Sequence, residues 1–209
     1  MESRERVHKG LLALKVLTVK HWTEKTFSFS LERPQSLRFR SGEFVMIGLD
    51  NKDKPLMRAY SIASPSWSDK LEFYSIKVRD GPLTSKLQNL KVGDDVLVRP
   101  KPVGTLVLDA LTPANRLILF STGTGIAPFA SVIRDPETYD KFDQVVLTHT
   151  CRQTNELDFG KNLIMMIKSN RLISEFVGSK LSLISTTTRE SGDLMGRLTD
   201  WLGDTRFAE

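Results

Sequence analysis

The sequence is poor in cysteine and has no long apolar segment. Cys151 is the only cysteine among 209 residues, so no intramolecular disulfide can form, and we expect a reducing, cytoplasmic environment. His8, His21 and His149 are far apart in sequence, a spacing that predicts neither a zinc site nor an iron–sulfur cluster. The N-terminus does not read as a signal peptide, and no apolar segment approaches the roughly 20 residues of a membrane span.

The charge is modestly basic and evenly dispersed. Thirty Lys and Arg against 25 Asp and Glu give a net charge of +5 and a pI near 9.3, which favours a phosphate-bearing ligand or an acidic partner. No Lys/Arg run or aromatic-interleaved basic stretch is present, which disfavours nucleic acid. The sequence also lacks the G-K-[ST] ending of an NTP-binding loop and the G-x-S-x-G nucleophile elbow, which argues against an ATPase and a serine hydrolase.

The first half has the pattern of an antiparallel β-barrel. Short segments of alternating apolar and polar residues are separated by Gly and Pro. In one of these segments, Phe27, Phe29 and Leu31 fall on the same face. The predicted strands are "LLALKVLTV", "TFSFSLER", "GEFVMIGL", "MRAYSIAS", "LEFYSIKV" and "DDVLVRP". Leu83, Leu87 and Leu90 in "GPLTSKLQNL" have helical spacing, which predicts a short helix over residues 81–90 that caps the barrel.

The second half has the pattern of a Rossmann-like α/β domain. "RLILFSTGTGIAPFASVIRD" and "QVVLTHTCRQTNELDFGKNLIMMI" each read as strand, loop and helix, and "KLSLISTTT" is a third strand. Continuous apolar strands alternating with helices predict a parallel sheet covered on both faces. We therefore predict two domains, residues 1–110 and 111–209.

Two groups of residues suggest sites for a phosphorylated ligand. Arg58 and the free N–H groups of "GPLTS" are suited to a diphosphate, and Tyr60 beside them could lie flat against an aromatic ring. Alternatively, Arg58 is a surface arginine, Tyr60 a core residue and "GPLT" an ordinary helix start. The glycines of "STGTGIAP" allow close approach to a nucleotide, although a plain strand–helix turn remains open.

Three arginines follow the predicted strands of the second half, where ligands bind in open α/β sheets. They are Arg152, Arg189 and Arg197. Grouped arginines are suited to a phosphate monoester and hence to NADP rather than NAD, and solvated loop arginines are the alternative. Glu156 begins the next helix, where a carboxylate is expected. Cys151 has no resolving partner, which favours an inert apolar role.

These motifs occur together in the order of one family. "RAYSIAS", "SIKVRDGPLTSKL", "VGDDVLVRPKPVGTLVL" and "STGTGIAPF" resemble those of the bacterial-type ferredoxin/flavodoxin–NADP(+) reductases, over essentially the whole chain. The resemblance implies a barrel that binds FAD and a second domain that binds NADP(H). It also implies an enzyme that transfers hydride between NADPH and flavin N5 and exchanges single electrons with ferredoxin or flavodoxin. We expect a monomer.

The resemblance also implies roles for residues in both halves. Tyr60 would pack against the isoalloxazine ring and Ser61 would place its hydroxyl near flavin N5, which makes these two the catalytic candidates. Arg58 would neutralise the FAD diphosphate. Further FAD contacts are expected from Ala59, Ser75, Ile76, Lys77, Gly81, Pro82, Leu83 and Thr84. The nicotinamide and its diphosphate are expected at Gly123, Thr124 and Gly125, and the adenosine 2'-phosphate at Arg152, Arg189 and Arg197.

The chain departs from the family pattern at its C-terminal end. It ends at "GRLTDWLGDTRFAE", whereas the family continues with another strand, a helix and a last strand. "RLILFS" is then expected at an exposed edge of the sheet. The given sequence would be a fragment of a longer protein, be completed by another chain, or be a flavin-binding module with little NADPH turnover. The fragment is the favoured explanation, because nothing near the C-terminus compensates for the lost packing.

Overall fold

The computed structural model describes residues 6–8, 10–51, 54–171, 173–192 and 194–201. Its first half is a nearly closed barrel of six antiparallel strands, hydrogen-bonded in the order β5-β4-β7-β2-β3-β6. The strands are β2 (Leu11–His21), β3 (Thr26–Glu32), β4 (Phe44–Leu49), β5 (Leu56–Ser61), β6 (Lys70–Ile76) and β7 (Asp95–Val98). All six were predicted, whereas β1 (Arg6–His8), which pairs with β2, was not. β5 and β6 end the order and flank an open seam.

Alternating aromatic and aliphatic side chains fill the barrel. Phe27, Phe29 and Leu31 are all buried, as predicted, and the Phe29 ring lies 5.2 Å from that of Phe73 on β6. Helix α1 (Thr84–Leu87) closes one end with the leucines that had helical spacing. It is shorter than the predicted span over residues 81–90, because Asn89 and Leu90 donate to residues three positions back instead of making α-helical bonds.

The second half is a three-stranded parallel sheet. Its strands are β8 (Ala114–Thr122), β9 (Phe142–Cys151) and β10 (Leu181–Thr187), in the order β10-β9-β8. Residues 145–151 of β9 are buried without alternation, so the sheet is covered on both faces, as predicted. Within the described residues β8 pairs only with β9, and Phe120 near its end is 47% exposed. The predicted open edge is therefore present in the described part of the chain.

Among the described residues, four helices accompany this sheet. They are α2 (Ala127–Val132), α3 (Glu137–Lys141), α4 (Asp158–Ser169) and α5 (Ser174–Val177). α2 and α4 were predicted, whereas α3 and α5 are too short to give a recognisable apolar period. None of the helices in the described segments has both the length and the hydropathy that a bilayer span requires.

The two halves are held together by polar contacts at the end of α2 and by an aromatic contact from α4. Arg134 lies 2.8 Å from a carboxylate oxygen of Glu72 and donates to the carbonyl of Ala63, both in the barrel half. The Phe159 ring stacks on Tyr74 of β6 with centroids 3.9 Å apart. These contacts fix the barrel against the sheet. The two-domain division at residues 110 and 111 falls between β7 and β8 and stays a prediction.

Candidate functional site

A cavity of about 820 Å³ opens where the barrel meets the carboxyl ends of the parallel strands. This is the end of an open α/β sheet at which ligands bind. Its barrel wall consists of Lys25, Thr26, Tyr74 and Ile76, and its sheet wall comes from the ends of β8 and β9 and from the segments after β9 and β10. The lining includes five of the predicted site residues, namely Ile76, Gly123, Thr124, Arg152 and Arg197.

The glycine turn after β8 forms one wall of this cavity. β8 is followed directly by a 3-10 turn, Gly123–Ile126, and Gly123 has φ +50°, a left-handed conformation that favours glycine. Gly123 and Thr124 line the cavity. Gly125 belongs to the same turn and is exposed, but it is not among the lining residues.

Two side chains of β9 lie directly behind the turn. The Nε2 atom of His149 is 3.1 Å from the Gly123 carbonyl oxygen, and the Cys151 sulfur is 3.2 Å from the same nitrogen. Burial lowers the pKa of His149 from 6.5 to about 4, and burial raises the pKa of Cys151 to about 12. Both groups are therefore neutral at physiological pH, and Cys151 fits the inert role predicted for it.

The three predicted arginines follow β9 and β10 and are all exposed. Arg152 and Arg197 line the cavity, whereas Arg189 does not. Arg189 is nevertheless adjacent, because its backbone N–H donates to the Arg152 carbonyl over 3.0 Å. The structure thus brings two of the three to the cavity and places the third beside them.

Glu156 anchors the segment that carries Arg152. Its carboxylate accepts the backbone N–H groups of Arg152 at 2.9 Å and Gln153 at 3.2 Å, which completes a capping box with Gln153. The expected carboxylate at this helix start is confirmed. Lys25 of the barrel reaches across to Gln153 at 3.1 Å and to Glu156 at 3.7 Å.

The seam between β5 and β6 holds the residues predicted for FAD. The Tyr60 ring stands edge-on to Phe73 at 6.4 Å. Burial raises the pKa of Tyr60, and a hydrogen bond with Ser75 and the charge of Arg58 act against that rise. Arg58 is exposed and donates to its neighbour Met57 over 2.8 Å, and Ala59 is exposed next to it. Ser61, half-buried, ends the strand.

The segment from Lys77 to α1 continues the seam. Lys77 donates its ammonium to the Thr23 carbonyl at 2.9 Å and its backbone N–H to Lys25. One ammonium proton and the backbone N–H are therefore used within the barrel, and the contact of Lys77 with FAD stays a prediction. Ile76 is 41% exposed and belongs to the seam as well as to the cavity wall, so the two places meet at this residue.

The residues present fit a phosphorylated cofactor at the start of α1. The Thr84 hydroxyl oxygen is buried without a hydrogen-bond partner, and a Cβ on Gly81 would lie 2.4 Å from it. The backbone N–H groups of Ser85, Lys86 and Leu87 already donate to the carbonyls of Gly81 and Leu83, so they are not free as the sequence predicted. Pro82 is exposed and Leu83 packs into the barrel core. An unpaired hydroxyl and a glycine that keeps the approach open are suited to a phosphate oxygen.

Several lining residues were not predicted from the sequence. Lys25, Thr26 and Tyr74 reach the cavity only because the barrel docks on the sheet, and no local pattern marks that contact. Phe120 could have been predicted from the sequence, since it lies just before the glycine turn on a strand that was expected at an edge of the sheet.

Comparison with known proteins identifies the family. Residues 13–107 match the family model described as the oxidoreductase FAD-binding domain. The chain is 58% identical over 195 residues to a flavodoxin/ferredoxin–NADP reductase of Rhodobacter capsulatus, covering 93% of this chain and 72% of that protein. It is 50% identical over 195 residues to a ferredoxin–NADP reductase of Azotobacter vinelandii, covering 93% and 76%.

A solved structure matches across both halves. The crystal structure of a ferredoxin NADP+ reductase from Neisseria gonorrhoeae with bound FAD and NADP superimposes with a TM-score of 0.84 at 29% identity, covering 94% of this chain and 77% of that one. The match therefore includes both the barrel half and the sheet half of this chain. The chain belongs to the ferredoxin/flavodoxin–NADP reductase family.

Proposed function

We propose that this protein is an NADPH-dependent flavoprotein reductase that exchanges electrons with ferredoxin or flavodoxin. The proposal rests on one observation: Ile76 belongs both to the seam between β5 and β6 and to the wall of the 820 Å³ cavity. One place offers groups for a flavin diphosphate, and the other offers a glycine turn with two arginines. Two cofactors bound there would approach each other at the end of β6.

The residues of the seam would bind and orient the flavin. Arg58 would offset the diphosphate charge, and Thr84 would gain the partner that its hydroxyl lacks. The raised pKa of Tyr60 keeps its phenol protonated at physiological pH, so Tyr60 would pack and donate a hydrogen bond rather than act as a base. Ser61 would hold a hydroxyl near the flavin edge. FAD, when bound, supplies the hydride-accepting ring that can also release single electrons.

The residues of the cavity would hold NADP(H). Gly123 and Thr124 would present backbone to the nicotinamide diphosphate, and Arg152 and Arg197 would recognise the 2'-phosphate with Arg189 beside them. The wall shared by barrel and sheet would exclude water from the hydride path.

An acidic electron carrier is the partner we propose. Arg79 and Lys86 are exposed near the seam and form no ion pair with any described residue. Together with the net charge of +5, they would attract a carrier of negative charge. We further propose a monomer in the cytoplasm, in line with the single cysteine.

Anaerobic titration tests the proposal. The purified 209-residue protein is expected to show a flavin absorption spectrum that NADPH bleaches, and then to reduce ferredoxin or flavodoxin. A flavin band that NADPH leaves unchanged would instead favour the flavin-binding module. That alternative is not favoured by the similarity, which extends through the sheet as well as the barrel.

A further inference from the structure

His149 lies at the centre of the sheet, directly behind the glycine turn. It is fully buried on β9, the middle strand. Among the described residues, two buried side-chain polar atoms lack a hydrogen-bond partner, the Thr84 hydroxyl oxygen and His149 Nδ1. A buried imidazole with one unsatisfied nitrogen costs stability. A role for the other ring nitrogen, Nε2, would offset this cost.

The hydrogen bond to Gly123 determines the form of the ring. A carbonyl oxygen only accepts, so the 3.1 Å contact requires the proton on Nε2, and Nδ1 is left with a free lone pair. The Cys151 sulfur lies 3.2 Å from the same nitrogen as a weak acceptor, while its thiol donates toward the Glu156 carbonyl at 3.6 Å. The Gly123 carbonyl at 3.1 Å is therefore the stronger acceptor for the ring N–H.

Helix α4 packs closely against the other ring nitrogen. A Cβ on Gly160 of α4 would lie 2.7 Å from His149 Nδ1, so the helix approaches the ring as closely as a glycine permits. On the other side, the turn that receives the hydrogen bond begins with a residue at φ +50°. Glycine has more conformations available than other residues, so a held glycine needs an external restraint.

We propose that His149 is a positioning residue for nucleotide binding, because its Nε2–H bond to the Gly123 carbonyl holds the turn that faces the cavity. This inference rests on the proposed function, since it assigns the turn to NADP(H). His149 itself is buried behind the turn and acts only through Gly123. Loss of its proton donor would let the turn sample conformations that do not bind the nucleotide.

The test compares His149→Leu with His149→Gln in the full chain. The glutamine amide places an N–H close to the position of Nε2, whereas leucine has none. We expect His149→Leu to raise the KM for NADPH about tenfold, the equivalent of one hydrogen bond, and His149→Gln to restore it to within about threefold of wild type. The flavin reduction rate at saturating NADPH should change less than the KM in both variants.

Two further measurements separate this role from a general packing defect. The flavin spectrum and FAD affinity should match wild type in both variants, since His149 is fully buried behind the turn and is not among the residues that line the cavity. If His149→Leu fails to fold, His149→Asn replaces it, because its shorter amide cannot reach Gly123.

Equal KM values for NADPH in His149→Gln and in His149→Leu, or in His149→Asn where it replaces His149→Leu, would overturn the inference, whether both values are normal or both are raised. A wild-type protein that does not bind FAD or respond to NADPH would instead overturn the proposed function, before any variant is made.

Discussion

At the scale of single residues, the unpaired hydroxyl of Thr84 is predicted to lower the stability of the FAD-free protein and to strengthen the binding of FAD. Thr84→Val removes a buried hydroxyl that has no partner, so the FAD-free protein should gain about 1 kcal/mol in its free energy of unfolding. The same variant should bind FAD about fivefold more weakly, because one hydrogen bond to the cofactor is lost. Urea unfolding of the apoprotein and quenching of flavin fluorescence measure the two effects.

Thr138→Val provides the matched control. The Thr138 hydroxyl is also buried, but it donates to the Val132 carbonyl at 2.6 Å, so here the same substitution should destabilise the protein by about 1 kcal/mol. Thr84 would lose its assignment if Thr84→Val left the affinity for FAD unchanged.

The arginines beside the cavity should distinguish the two nicotinamide nucleotides. Arg197→Ala is expected to raise the KM for NADPH at least tenfold, because a charged hydrogen bond to the 2'-phosphate is lost, with little change for NADH. Arg189→Ala should act in the same direction. Arg171→Ala, an exposed arginine outside the cavity lining, is the control. An equal rise for both nucleotides would contradict the 2'-phosphate role.

The neutral, buried His149 makes stability depend on pH. Its folded-state pKa of about 4 lies below its ordinary 6.5, so below pH 6.5 the unfolded chain binds a proton that the folded protein does not. The stabilisation is complete above pH 6.5 and declines as the pH falls toward 4, by on the order of 3 kcal/mol. His149→Gln should flatten this part of the curve of unfolding free energy against pH. A curve identical to wild type would count against the buried neutral form.

At the scale of elements, Arg134 joins α2 to the barrel. Its guanidinium contacts the Ala63 carbonyl and the Glu72 carboxylate, and its Nε donates to Ala130 at 2.9 Å. Arg134→Met keeps the apolar stem but leaves the partners unpaired, which should lower the free energy of unfolding by about 3 kcal/mol.

Glu72→Gln provides the comparison for this ion pair. It retains an oxygen for Arg134 and leaves the guanidinium its two carbonyls, so its cost should be about 1 kcal/mol. Denaturant unfolding of both variants checks the order, and a larger cost for Glu72→Gln would show that the carboxylate has another role.

At the scale of the whole molecule, the net charge predicts a salt effect. If an acidic carrier docks on the exposed basic residues near the seam, raising the ionic strength from about 0.05 to 0.5 M should lower kcat/KM for the carrier about tenfold, because the screening length shortens to a few ångströms. Reduction of a small uncharged quinone by the same enzyme is the control. A carrier rate that does not depend on salt would rule out electrostatic docking.

The sequence predicted elements well and contacts between halves poorly. The alternation at Phe27, Phe29 and Leu31 was sufficient for a strand, since a half-buried strand requires it. Helices α3 and α5 are too short to show a period. Local motifs were sufficient to propose Arg58 and Tyr60 as FAD contacts, whereas Lys25 reaches the cavity only through docking. The hydrogen bond from the Lys77 ammonium to the Thr23 carbonyl depends on the turn between β2 and β3, and no sequence motif predicted it.

The cavity has one wall from the barrel and one from the sheet. Binding of a ligand in it therefore depends on correct docking of the two halves. Neither half alone has the complete cavity. If the cavity binds NADP(H) as proposed, a chain whose halves have not docked correctly would bind the dinucleotide weakly. The bound nucleotide would stabilise the docked arrangement of the two halves, and the fraction of molecules that bind it would measure how many have docked correctly.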